Sequence, residues 1–122
     1  MEVLIMRELN LRQYRPVSSF SFSGRPQGEK VREKLKLSEI DRTNEEVELI
    51  IPSDTTSFNP SFFLGLLYES IQKLGFDKFN NKYKIKIETE DPERREFISN
   101  NIADGFRNAS NSINKKTGLS FI

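Results

Sequence analysis

The sequence predicts an α/β domain: a mixed sheet of about four strands with helices packed on it, in the order strand, strand, helix, strand, helix, strand, helix. Three observations carry that reading. Val47-Glu48-Leu49-Ile50-Ile51, stopped by Pro52, has the β-branched content and length of a central strand. The stretch from Pro60 to Leu74 repeats apolar residues at helical spacing, and Tyr83-Lys84-Ile85-Lys86-Ile87-Glu88 alternates with period two. Helices between strands imply right-handed crossovers and parallel pairing of the later strands.

In chain order, Val3 to Glu8 is a short, mostly apolar run that suits a strand buried on both faces. Ser19-Phe20-Ser21-Phe22-Ser23 alternates as a half-buried strand does, and the two are expected to form a hairpin. Gly24-Arg25-Pro26 turns the chain into a short helix ending near Leu37, with Pro26 at an early helical position and Val31 and Leu35 on its buried stripe. The central strand 47–51 follows. Asn59 is placed to cap the next helix and Pro60 to open it; Phe62, Phe63, Leu66, Leu67, Ile71 and Leu74 form its apolar face, and Gly75 ends it. The strand at 83–88 has one wet face, whose lysines discourage edge-to-edge pairing. Asp91 and Pro92 open a last helix with Phe97 or Ile98, Ile102 and Phe106 on its core face and Glu93 in the first turn, where the helix dipole favours an anion. The expected domain covers 1–108, followed by an Asn/Ser/Lys-rich tail, 109–122, that frays.

Composition narrows the chemistry. The chain has 122 residues, enough for one domain with a modest core. Nineteen Lys+Arg against eighteen Asp+Glu leave a net charge of +1, so no overall field gathers nucleic acid or anionic membrane. The absence of Cys and His removes thiol catalysis, disulfides, Cys/His zinc sites and imidazole acid/base work, and no cofactor is implied. No apolar run approaches the roughly 18 residues of a membrane span, and the start is too short and too acidic for a signal peptide, so the expected location is the cytosol.

Phe22-Ser23-Gly24-Arg25, Gly28-Glu29, Arg32, a hydrophobic strand, Thr56-Ser57-Phe58 and a helix containing Gly65 together resemble the STAS-like domain family over residues 17 to 88. The sequence departs from that pattern in lacking an acidic residue just inside the helix after the Ser-Phe pair, and in ending its strand with Ile51-Pro52 where an Asp is common. The resemblance implies a non-enzymatic regulatory module. In the related anti-sigma-factor antagonists, a serine at the start of the helix after the central strand is phosphorylated by a GHKL-type ATPase, and the phosphate decides which partner is held.

The residues that match are Ser57 first, with Ser61 and Thr56 beside it; Phe58 and Asn59 complete the loop. A helix amino terminus stabilises a phosphate through free N–H groups and the macrodipole. The same hydroxyl and amide side chains also serve ordinary capping, and that reading stands alongside the first. Gly24, Arg25, Gly28 and Arg32 offer an oxyanion-binding turn or, equally, a tight turn with an internal ion pair. One ring of the Phe62-Phe63 pair is a candidate partner anchor if it points outward. Two other classes were weighed: nucleic-acid binding through Arg94-Arg95 and Lys115-Lys116, disfavoured by the balanced charge, and carboxylate catalysis through Asp54 and Glu69, disfavoured by the lack of a paired-acid motif.

Overall fold

The computed structural model describes residues 6–15 and 19–117, with side chains as far as 114. Among the described residues five strands are formed: β1 (Met6–Asn10), β2 (Ser21–Phe22), β3 (Glu46–Ile51), β4 (Ser57–Phe58) and β5 (Tyr83–Ile87). The helices are α1 (Arg25–Leu35), α2 (Leu37–Ile40), α3 (Pro60–Leu74), α4 (Phe76–Lys82) and α5 (Pro92–Thr117), with a 3₁₀ turn at Leu11–Tyr14. The α/β class expected from the sequence holds.

The sheet does not take the expected form. Instead of one mixed sheet of four strands, β1, β3 and β5 form a parallel sheet in the order β1-β3-β5, and β2 and β4 form a separate parallel pair. The expected hairpin is absent, because β1 pairs with β3 while β2 pairs with β4. Two local features explain this. Asn10 accepts from the Arg12 N–H and starts the 3₁₀ turn, which carries the chain off the line of β1. Phe22 is then buried against Phe58 and Phe62, with ring centroids 5.5 and 5.2 Å away, so the aromatic cluster selects β4 as the partner of β2. Nor is the first strand buried on both faces: Met6, Arg7, Glu8 and Asn10 are exposed, as suits an edge. Val3, Leu4 and Ile5 of the expected strand lie outside the described residues.

β3 is the central strand, as its composition requires, and Val47, Leu49 and Ile51 are buried. The register aligns these three with Tyr83, Ile85 and Ile87 of β5. Alternation puts Glu8, Glu48, Lys84 and Lys86 on the opposite face.

Helix α3 is the spine of the core. Phe62, Phe63, Leu66, Leu67 and Ile71 are wholly buried, and the helix begins and ends where the sequence predicts, at an Asn59 cap and at Gly75 with φ of 80°. α1 lies unusually close to it. A Cβ on Gly28 would stand 2.3 Å from the Phe62 carbonyl oxygen, and one on Gly65 would stand 2.1 Å from the Arg25 carbonyl oxygen. The two helices therefore meet backbone to backbone at facing glycines.

The last helix also departs from expectation. α5 continues to Thr117 rather than fraying from 109, with Ala109 fully buried and Ile113 packed on the core. The apolar stripe Ile98, Ile102, Phe106, Ala109, Ile113 keeps helical spacing through the polar stretch, so one face still has a core to bury. Of the Phe97/Ile98 alternatives, Ile98 is the core residue and Phe97 is 52% exposed. Among the described residues, no helix is long and apolar enough to cross a membrane.

Candidate functional site

The hydroxyl-rich stretch lies beyond the carboxyl end of β3, where open parallel sheets tend to meet their ligands and partners. It is not the exposed loop that the sequence suggests. Pairing of β2 with β4 turns Thr56, Ser57 and Phe58 into part of a small ridge: Thr56 N–H donates to the Phe20 carbonyl and Asn59 N–H to the Phe22 carbonyl, each at 2.8 Å.

Along that ridge three hydroxyls form a chain. The Ser57 Oγ–H donates to Ser21 Oγ at 2.9 Å, Ser21 Oγ lies 3.0 Å from Thr56 Oγ1, and the Thr56 hydroxyl donates to the Phe20 carbonyl at 3.3 Å. With Ser57 donating to Ser21 and Thr56 to the backbone, the one assignment that satisfies all three has Ser21 donating to Thr56. Ser57, expected to be exposed, is half-buried, and Thr56 is exposed. Ser61 is committed to the cap: its N–H and its hydroxyl both donate to Asn59 Oδ1, at 2.8 and 2.6 Å. Phe58 is buried in the core, so it packs rather than presents, and its N–H is taken by Asn101 Oδ1 of α5 at 3.1 Å.

Behind the ridge sits an arginine clamp. Arg15 grips Asp54 with two bonds, at 2.8 and 3.1 Å, and Arg12 reaches the same carboxylate at 3.4 Å. The bond from Arg15 holds the Asp54 carboxyl below the usual carboxylate range. The Arg15 guanidinium also lies 5.7 Å from the Phe20 ring centroid and 5.9 Å from that of Phe22. Its side chain is 7% exposed. Phe20 itself is 55% exposed and is the large apolar side chain that the ridge presents to solvent. Two polar atoms beside Asp54, Thr55 Oγ1 and Arg15 Nε, are buried without a hydrogen-bond partner among the described residues.

The glycine-arginine segment is not part of this site. Gly28 and Gly65 serve the close approach of α1 and α3, and Gly24, with φ of 89°, makes the turn into α1. Arg25 is exposed with its guanidinium 5.5 Å from the Tyr68 ring centroid. Arg32, expected to meet a phosphate or partner, is 5% exposed and occupied inside the domain. It donates to the Leu66 carbonyl at 2.9 Å, Ser70 Oγ at 2.8 Å, Ser38 Oγ at 3.2 Å and Asp41 Oδ2 at 3.1 Å, and pairs with Glu69 at 3.3 Å. Ser70 donates to Asp41 Oδ2 at 2.6 Å and Tyr83 Oη donates to Asp41 Oδ1, so the carboxylate is satisfied on both oxygens. Burial, and then that bond to Asp41, push the Tyr83 phenol well above its ordinary value. The ion pair that could equally have explained Arg32 is the one observed.

Neither phenylalanine of the Phe62-Phe63 pair points outward; both are wholly buried. The exposed ring the sequence sought there is Phe20, on the alternating Ser-Phe-Ser-Phe strand. Its period of two already put Phe20 and Phe22 on one side, and only the pairing of β2 with β4 decided that Phe22 alone would be covered. Arg12, Arg15 and Ser21 carried no motif and were missed. Of the basic residues weighed for nucleic acid, Arg95 donates to the Thr89 carbonyl, and the side chains of Lys115 and Lys116 lie outside the described residues.

No protein-family model, curated protein or solved structure matches this chain.

Proposed function

We propose that this chain is a non-enzymatic regulatory module that binds a protein partner through the β2–β4 ridge, with hydroxyl phosphorylation on that ridge as the switch. The observation that carries the proposal is the linked hydroxyl chain Ser57–Ser21–Thr56, set just before the amino terminus of α3 and bordered by the exposed Phe20 ring. Phe20 supplies an apolar anchor of the kind that dominates small interfaces. Thr56 supplies an accessible hydroxyl whose side-chain bonds among the described residues are to Ser21 and the Phe20 carbonyl.

A phosphate on Thr56 adds a charge of about −1.5 to −2 and three strong acceptors. It would compete with Asp54, two residues earlier, for Arg12 and Arg15, and it would take the place of the Thr56 proton that now bonds Phe20. The ridge then changes charge while α3 and the core stay intact. The resemblance to the STAS-like family supplies the expected partner class, a GHKL-type ATPase acting as the kinase. Ser57, the serine that the resemblance marks, is the second target: phosphorylation there first has to break its bond to Ser21 and expose a half-buried hydroxyl.

The test is titration calorimetry of the chain with a GHKL-type ATPase captured on it from its source cells. Thr56→Asp is expected to change the affinity at least tenfold, about 1.4 kcal/mol, with an unchanged melting temperature. Ser57→Asp is expected to change both affinity and melting. After incubation with the ATPase and ATP, phosphopeptide mass spectrometry is expected to find the phosphate at Thr56 or Ser57. Wild-type affinity in Thr56→Asp, Ser57→Asp and Ser61→Asp alike overturns the switch; wild-type affinity in Phe20→Ala overturns the ridge as the binding surface.

A further inference from the structure

We propose a second docking surface, independent of the ridge: the free edge of β5 and the groove beside it take up an extended segment of a partner protein in which apolar residues alternate with acidic ones. β5 is the last strand of the sheet. The Glu88 N–H donates to the Ile51 carbonyl at 3.0 Å, which fixes the alternation along the strand. Lys84, Lys86 and Glu88 turn their backbone groups toward β3, and Ile85 and Ile87 turn theirs outward. Among the described residues, the outward N–H and C=O groups of Ile85 and Ile87 make no bond beyond the sheet. They are a short template for one more strand.

The two faces of that edge specify the occupant. On the helix side, Ile85 and Ile87 remain half-buried over a groove of about 410 Å³ that Phe79, Ile102 and Phe106 also line, a place for alternate apolar side chains. On the other side stand Lys84 and Lys86, both exposed. The register makes them the ends of two cross-strand rows, Glu8–Glu48–Lys84 and Asn10–Ile50–Lys86. The Lys84 ammonium bonds only the Asn80 carbonyl, at 2.8 Å, and that of Lys86 has no partner among the described residues. A strand added beside Lys84 and Lys86 meets a cation at these two alternate positions, with Glu88 following on the same face, so carboxylates opposite the two lysines complete the rows while like charges there are repelled. The same lysines disfavour antiparallel pairing of β5 with the β5 of a second copy centred on Ile85, which would set Lys84 against Lys86. The edge is therefore selective for a foreign acidic strand.

The probe is a fluorescein-labelled peptide, acetyl-Glu-Val-Glu-Val-Glu-Val-Glu-amide, titrated into the full chain and followed by anisotropy, with amide chemical shifts mapped on labelled protein. Binding is expected to move the Ile85 and Ile87 amides most. The Lys-for-Glu version of the peptide is expected to bind at least about tenfold more weakly, and so is the acidic peptide to the Lys84→Glu/Lys86→Glu protein. A peptide N-methylated on the amides of one edge is expected to lose binding to the wild-type protein, which separates strand addition from a change in folding of the charge-reversed variant. Absence of binding, equal affinity for the basic peptide, undiminished binding of the N-methylated peptide, or shifts confined to the β2–β4 ridge each overturn the proposal. Concentration-dependent dimerisation through Ile85 and Ile87, seen by sedimentation, overturns it in favour of a second copy.

Discussion

At the scale of single residues, burial separates the side chains that hold the fold from those free to act. Arg32 and Asp41 form a buried pair that also bonds Ser38, Ser70, Tyr83 and the Leu66 carbonyl. Removing one member leaves an uncompensated charge in the interior, so Arg32→Ala is expected to cost about 3–5 kcal/mol in urea unfolding. Tyr83→Phe deletes one neutral donor and is expected to cost about 1–3 kcal/mol. Thr55 behaves oppositely. Its buried hydroxyl has no partner among the described residues, so the isosteric Thr55→Val is expected to be neutral or to stabilise by up to about 1 kcal/mol. Asp54 supplies a pH dependence. Its folded-state value is depressed, chiefly by the bond from Arg15, so its contribution is complete above the unfolded value of about 3.9 and is lost as pH falls through the lower folded value. Wild type is therefore expected to melt above Asp54→Asn at neutral pH, and thermal scans are expected to converge as pH falls below the depressed folded value. The difference is small, because the pair is partly exposed and screened.

At the scale of elements, the chain uses glycine for two purposes that the sequence does not distinguish. Gly24 and Gly75 adopt positive φ at helix boundaries. Gly28 and Gly65 instead allow α1 and α3 to touch, and each faces backbone atoms that cannot swing aside. Gly65→Ala is therefore expected to destabilise by about 1–3 kcal/mol or more, against the gain of about 0.5–1 kcal/mol that alanine brings to an unconstrained helix position; chemical denaturation measures the sign. Leu67→Ala, on the opposite demand of filling space, is expected to cost about 2–5 kcal/mol because Leu67 is wholly buried. The strands show the same division between local and long-range causes. The limits of α3 follow from Asn59, Pro60 and Gly75, all local, whereas the two-residue strands β2 and β4 exist because three phenylalanine rings gather behind them.

At the scale of the whole molecule, a parallel sheet with a buried centre and two edges ranks the backbone by protection. β3 lies between two strands and buries Val47, Leu49 and Ile51 in the core that α3 also fills, so its amides are expected to exchange only on global unfolding, while the outward amides of Ile85 and Ile87 exchange within the native state. Hydrogen exchange resolved by residue checks both. Slow exchange at Ile85 and Ile87 in the free chain means that something already covers the edge. The ridge and the β5 edge stand in different sheets, so the two proposed surfaces share no strand residues.

The sequence by itself determined the α/β class, the central strand, α3 from cap to terminating glycine, the alternation of β5 and the exclusion of thiol and imidazole chemistry. These rest on period, composition and turn residues, which act within a few positions along the chain. Tertiary structure alone decided which strands pair, that α5 continues through its polar stretch, that Arg32 is an internal ion-pair residue, and that Thr56 rather than Ser57 is the open hydroxyl of the ridge. Those outcomes depend on contacts between distant segments: Phe22 with Phe58 and Phe62, Gly28 with Gly65, Arg32 with Leu66 and Ser70. A side chain's burial is set by what folds over it, and in this chain the covering element lies dozens of residues away.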